Sequence, residues 1–108
     1  MVRDNLYFLK ISGTVGAGKQ REFQQTVQFV FNHLSSGCLS HHLTLDVYAP
    51  EHYHVYCLWN SEDSLLAFKS SHEFGLIKGA FQTLGSYNQT MSGRWADIQL
   101  FELIDLEN

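Results

Sequence analysis

Six histidines and two cysteines are the side chains of this 108-residue chain that could hold a metal, and five of the histidines fall between positions 41 and 72. A three-residue turn at Ala49-Pro50-Glu51 would place Asp46 opposite His54 and Tyr48 opposite His52, with His42 further along the same face. His52 and His54 then share one side of their strand, as a pair of metal ligands would. A metal site needs more than a pair. No H-x-x-x-H spacing and no Cys/His cluster completes a donor set, so no metal ligands are expected.

The cysteines point away from a disulfide. In the same hairpin Cys57 lies opposite about residue 43, and Cys38 stands about five residues further along, roughly 17 Å away at the strand rise. A bridge needs Cα atoms within about 7 Å. Two free thiols are expected, in keeping with a reducing compartment.

A glycine-rich stretch, Gly13-Thr14-Val15-Gly16-Ala17-Gly18-Lys19-Gln20, matches G-x-x-x-x-G-K between an expected strand and an expected helix. Gln20 replaces the hydroxyl residue that would hold Mg²⁺. The chain is also short for a parallel-sheet nucleotide domain. The stretch reads as a glycine turn into a helix, not as a nucleotide site.

The elements that must position these groups follow from periodicity. Leu6 to Thr14 is rich in strand formers. Between Lys19 and Leu34, Phe23, Val27, Val30, Phe31 and Leu34 repeat at helical spacing, and Gly37 sits past the helix end. Cys38 to Tyr48 alternates, Pro50 marks a turn, and His52 to Trp59 is a third strand. Ser61 caps a helix start with acids in its first turn. Leu65, Phe68, Leu76, Ile77, Ala80, Phe81 and Leu84 then form a broken helical stripe. Residues 85–94 read as a polar loop and Trp95 to Leu106 as a last strand. The order is β-α-β-β-α-β, an α+β ferredoxin-like domain with a four-stranded antiparallel sheet and helices on one face, spanning residues 1–108 as a single domain.

Composition narrows the function classes. A net charge of −4 without a basic cluster speaks against nucleic acid as a partner. No apolar run approaches the roughly 20 residues of a membrane span, and the N-terminus lacks a signal-peptide pattern, so the expected address is the cytoplasm without a membrane partner. Strands one, three and four carry apolar residues on both faces: Leu6 and Phe8 against Leu9 and Ile11, Tyr56 and Leu58 against Val55 and Trp59, Ile98 and Leu100 against Phe101 and Leu103. Two helices cover one face only. The second face needs another layer, most simply a second copy, which gives a homodimer with sheets face to face. The semi-polar side of the hairpin (His42, Thr44, Asp46, Tyr48, His54 and Tyr56) would then lie inside that barrel or near its edge.

Residues 53–84, YHVYCLWNSEDSLLAFKSSHEFGLIKGAFQTL, are the most informative stretch. A strand ends in Trp59, a capped helix starts at Asn60-Ser61-Glu62-Asp63, Phe68 follows, and a Ser71-His72-Glu73-Phe74 joint leads to a second amphipathic turn ending at Leu84. With the Gly37-Cys38-Leu39 strand entry before it, this order resembles the antibiotic-biosynthesis-monooxygenase-like family of dimeric α+β barrels. The resemblance implies the same dimer, a ligand cavity between sheet and helices, and a cofactor-independent monooxygenase that brings a quinol or polycyclic phenol together with O₂. The alternative is a non-catalytic dimeric barrel that binds a small aromatic molecule or serves in stress response or signalling.

The implied cavity wall comprises Leu9 or Phe8, His41, Cys57, Trp59, Phe68, His72 and Phe81, the face of the first strand being undetermined. Cys57, Trp59, Phe68 and Phe81 are the expected substrate contacts. Such aromatics equally serve as plain core. The chemistry needs a base to deprotonate the phenol, and His41 and His72 are the catalytic candidates. The chain departs from the family pattern at Cys57, where an acidic residue often stands, and at Phe68, where a histidine often stands. The haem-degrading branch uses an Asn/Trp/His set. Its matching positions here lie near Leu9, at Phe68 and at Lys78, so haem breakdown is not expected.

Overall fold

The computed structural model describes residues 6–94. The chain runs β1 (Tyr7–Val15), α1 (Gln20–Phe31), β2 (Cys38–Leu45), β3 (His52–Trp59), α2 (Glu62–Lys69), α3 (His72–Leu84) and β4 (Gly85–Arg94). The four strands form one antiparallel sheet in the order β2-β3-β1-β4. This is the ferredoxin-like α+β arrangement, with its second helical segment divided in two.

That division is written in two serines. Ser61 Oγ accepts the Ser64 N–H at 3.1 Å and starts α2. Ser71 Oγ accepts the Phe74 N–H at 3.2 Å and starts α3, while donating to the Phe68 carbonyl at 2.6 Å. One hydroxyl therefore closes α2 and opens α3, turning the chain between Phe68 and Phe74.

The helices cover one face of the sheet. Leu9, Ile11 and Val15 of β1 and Tyr53, Val55, Cys57 and Trp59 of β3 are buried beneath Phe23, Val27 and Val30 of α1, Leu65 and Phe68 of α2, and Phe74, Ile77 and Phe81 of α3. The alternation of β1 thus settles which face its residues take. Leu9 and Ile11 point to the helices, and Phe8, Lys10 and Ser12 to the other side.

The stretch 85–94 is a strand, not the expected loop. Its sequence, GSYNQTMSGR, offers almost no apolar alternation. What makes it extended is pairing along the whole of β1, from Val15 opposite Gly85 to Tyr7 opposite Arg94, with an irregularity between Ser12 and Gly13. An outer strand needs backbone partners more than a hydrophobic pattern. The strand expected at 95–106 lies outside the described residues.

The glycine-rich stretch is divided between two elements. Gly13 lies inside β1, where an added Cβ would come 2.5 Å from both the Phe81 ring and the Ser86 carbonyl oxygen. Glycine there lets α3 seat an aromatic ring on the strand. In the turn, the Gly16 amide donates to the Leu84 carbonyl at 2.8 Å, the Lys19 amide to the Gly16 carbonyl at 3.0 Å and the Gly18 amide to the Gln20 side chain at 3.1 Å. These amides are occupied by the fold itself.

Candidate active site

The side chains expected to contact a ligand form a closed aromatic layer between sheet and helices. Trp59, at the end of β3, lies between Tyr7 of β1 and Cys38 of β2 in the strand register. Its ring centroid is 5.1 Å from that of Phe68, which meets Phe74 edge-on at 5.7 Å. Phe81 packs 4.5 Å from Phe23, which in turn lies 5.0 Å from Tyr53. Cys57 is buried between these two groups along β3. Phe68 and Phe74 are the least covered aromatics of this core, at 6% and 9% exposure.

Two polar atoms enter this layer from aromatic side chains, and their situations differ. Tyr53 receives a hydrogen bond on its phenol oxygen from Gln24 Nε2 at 3.1 Å. Trp59 is 1% exposed, and its indole Nε1 has no hydrogen-bond partner among the described residues. An unmet buried donor costs about 1–3 kcal/mol, and such groups are rare in folded proteins. The sequence places Trp59 in the cavity wall without revealing this open valence, which depends on what surrounds the ring.

The two candidate bases lie against different side chains of α1. His41 stands directly opposite Cys57 in the β2–β3 register, and its ring packs 4.2 Å from that of Phe31. It therefore shares the helix side of the sheet with Trp59, one diagonal step away. His72, at the start of α3, lines an open groove of about 530 Å³ with Glu22, Gln25, Thr26, Phe29 and Leu76. Lys78, at the haem-branch histidine position, places its ammonium 5.4 Å from the Phe74 ring centre and 5.0 Å from that of Tyr87. That is a cation–π clamp holding α3 on β4.

The hairpin register corrects the placement of the thiols. Cys57 pairs with His41, not with residue 43, and Cys38 pairs with Trp59. A shift between Cys38 and Ser40 leaves Leu39 as the extra residue of a bulge. The two cysteines, expected far apart, are instead diagonal cross-strand neighbours, both as free thiols, with the Cys38 thiol donating to the Ser40 carbonyl at 3.3 Å. The same register moves Asp46 and Tyr48 off the strand pairs assigned to them: Thr44 stands opposite His54, and the Asp46 amide bonds the His52 carbonyl at 3.0 Å.

On the open face, sequence reasoning missed a pair. Ser12 and His54 are cross-strand partners, and Ser12 Oγ lies 2.9 Å from His54 Nδ1. Burial, together with the Lys10 charge and His52, pulls the His54 pKa below its ordinary value, against the opposing pull of Asp46. Only the β1–β3 register could have brought these two residues together on paper.

A family model described as antibiotic biosynthesis monooxygenase matches residues 8–79. The chain belongs to this family. Solved structures agree on the fold. A Bordetella bronchiseptica protein provisionally named an antibiotic biosynthesis monooxygenase superposes with a TM-score of 0.67 at 18% identity, over 82% of this chain and 95% of that one. A Chloroflexus aurantiacus J-10-fl protein of the same provisional name gives 0.64 at 17% identity, over 82% and 91%. A conserved protein of Methanosarcina mazei Go1 gives 0.70 at 17% identity, over 84% and 91%. No curated protein matches significantly. The matched span of the antibiotic biosynthesis monooxygenase family includes His41, Cys57, Trp59, Phe68 and His72, whereas Phe81 lies two residues beyond it.

Proposed function

We propose that this protein is a cofactor-independent monooxygenase acting on a quinol or polycyclic phenol, working as a homodimer. Membership of the antibiotic biosynthesis monooxygenase family supports the reaction class. The observation that carries the substrate class is the buried Nε1–H of Trp59, without a partner among the described residues, inside an aromatic layer. A phenolate oxygen set against that donor satisfies it, and the substrate ring replaces aromatic contacts already made there. Phe68 and Phe74 are the side chains that turn aside to admit it.

His41 takes the phenolic proton. The electron-rich phenolate passes one electron to O₂, and the two radicals combine at ring carbon as a hydroperoxide. Loss of water then leaves a quinone carbonyl. One oxygen atom enters the product, the other departs as water, and no outside reductant is consumed. Trp59 stabilises the anion through its N–H, while Cys57, Phe68 and Phe81 shape the apolar wall. His72, in its own groove, is the second candidate base.

Oxygen uptake by the purified protein with a panel of quinols tests this. His41→Ala should lower the rate by about a hundredfold or more, as expected for loss of a general base, while leaving quinol binding intact. Phe68→Asp should abolish binding. The close packing of Trp59, Phe68 and Phe81 favours a second reading, a barrel that binds an aromatic molecule or signals without catalysis. Quinols that bind without any oxygen consumption would leave that reading standing. Absence of aromatic binding would reduce these side chains to core.

A further inference from the structure

We propose that Cys38 and Cys57 form a redox-active dithiol, a modification site at which hydroperoxides oxidise the pair to a disulfide across β2 and β3. The strand register makes the two cysteines diagonal neighbours, about 7–8 Å between Cα atoms in a regular ladder, so the bridge closes by a small shift at the bulge. Cys38 stands opposite Trp59, two residues along β3 from Cys57, and the bulge at Leu39 lies between Cys38 and Ser40. Both side chains lie on the helix side of the sheet, close enough for each thiol to shift the other's titration.

The two thiols are inequivalent in the way a stepwise oxidation requires. Cys38 is half-buried and reachable from solvent, whereas Cys57 is 3% exposed. The neighbouring Cys57 thiol is the main influence lowering the Cys38 pKa, with the backbone of Ser40 and Leu58 adding to it against the effect of burial, and it comes to about 7. Cys57, the deeper group, is pushed upward. The reachable sulfur therefore gives up its proton more readily than the buried one.

The chemistry balances with a hydroperoxide as the only co-reactant. Cys38 thiolate attacks the O–O bond of hydrogen peroxide, forming S–O, breaking O–O and releasing water after protonation. Cys57 sulfur then attacks the sulfenic sulfur, forming S–S, breaking S–O and releasing a second water. Each sulfur gives up one electron, and the peroxide takes both. A dithiol reductant reverses the change by exchange.

The experiment uses the full, reduced protein at low micromolar concentration with one equivalent of hydrogen peroxide. Free thiols, titrated after denaturation, should fall from two to none. Intact mass should drop by two hydrogens, and dithiothreitol should restore both thiols. Cys57→Ala should stall at a Cys38 sulfenic acid that dimedone traps, and Cys38→Ser should leave Cys57 unoxidised. Should Cys57→Ala fail to fold, the Cys38–Cys57 linked peptide from oxidised wild-type protein decides the matter. Three results would overturn the proposal: no reaction, a Cys38 carried on to sulfinic acid with Cys57 still alkylatable, or disulfides formed only between chains. None of these readouts depends on oxygenase activity.

Discussion

The two faces of the sheet solve the problem of polar groups in opposite ways. On the helix side the chain covers itself with rings, satisfies Tyr53 through Gln24, and leaves the Trp59 indole donor open. On the other side Phe8 and Leu58 are half-buried beside the exposed Tyr56 and Met91, and Ser12 and His54 satisfy each other. Among the described residues, the first face is finished except at one side-chain atom. The second is a mixed surface that polar pairs make tolerable in water and that a like surface could cover. On the function proposed above, chemistry belongs where the open valence is, and association where the apolar area is.

The largest expected effect lies in the finished face. Gly13→Val drives a side chain into the Phe81 ring and the Ser86 carbonyl, and Phe81→Ala leaves a cavity in their place. Phe81→Ala should cost about 3–5 kcal/mol and Gly13→Val about 1–3 kcal/mol or more, measured by urea denaturation. Near-neutral behaviour of both would mean that this layer is loosely packed.

On the open face, Tyr56→Lys combined with Met91→Lys should shift sedimentation equilibrium from dimer to monomer with little change in far-ultraviolet circular dichroism. A charge at Phe29, exposed on α1, should leave the association intact. A well-folded wild-type monomer at micromolar concentration would remove the distinction between the faces.

A smaller effect concerns His54. Its folded pKa is depressed, mainly by burial, so the unfolded chain binds more protons below the ordinary histidine value of about 6.5. Stability is therefore fully present above that value and is lost as pH falls through it toward the folded pKa. His54→Gln should flatten this part of the pH–stability curve, read from thermal midpoints between about pH 5 and 8. An unchanged slope would mean that burial does not depress the His54 pKa in the folded protein.

The smallest expected effect is none. With the Gly16, Gly18 and Lys19 amides occupied and Gln20 in place of a hydroxyl residue, ATP·Mg should give no calorimetric signal. Saturable binding lost in Lys19→Ala would reverse that reading.

Much of this molecule was legible in its residues because periodicity and capping act locally. The spacing of Phe23, Val27 and Val30 marks α1, and the Ser61 cap and the joint at Ser71 mark the divided second helical segment, since a hydroxyl meets an amide three residues away in any context. The family pattern runs through the same local features. Three things depended on distant partners instead. The strand at 85–94 exists because β1 supplies its hydrogen bonds. The thiols meet because a bulge and a register two residues from the expected one bring Cys38 beside Cys57. The open valence of Trp59 arises because α2 and α3 surround the indole with rings and no acceptor. Side-chain type and spacing determine which elements form and which faces they bury. Register and packing decide which polar atoms find a partner, because a hydrogen bond requires a distance that only the assembled sheet and helices can set.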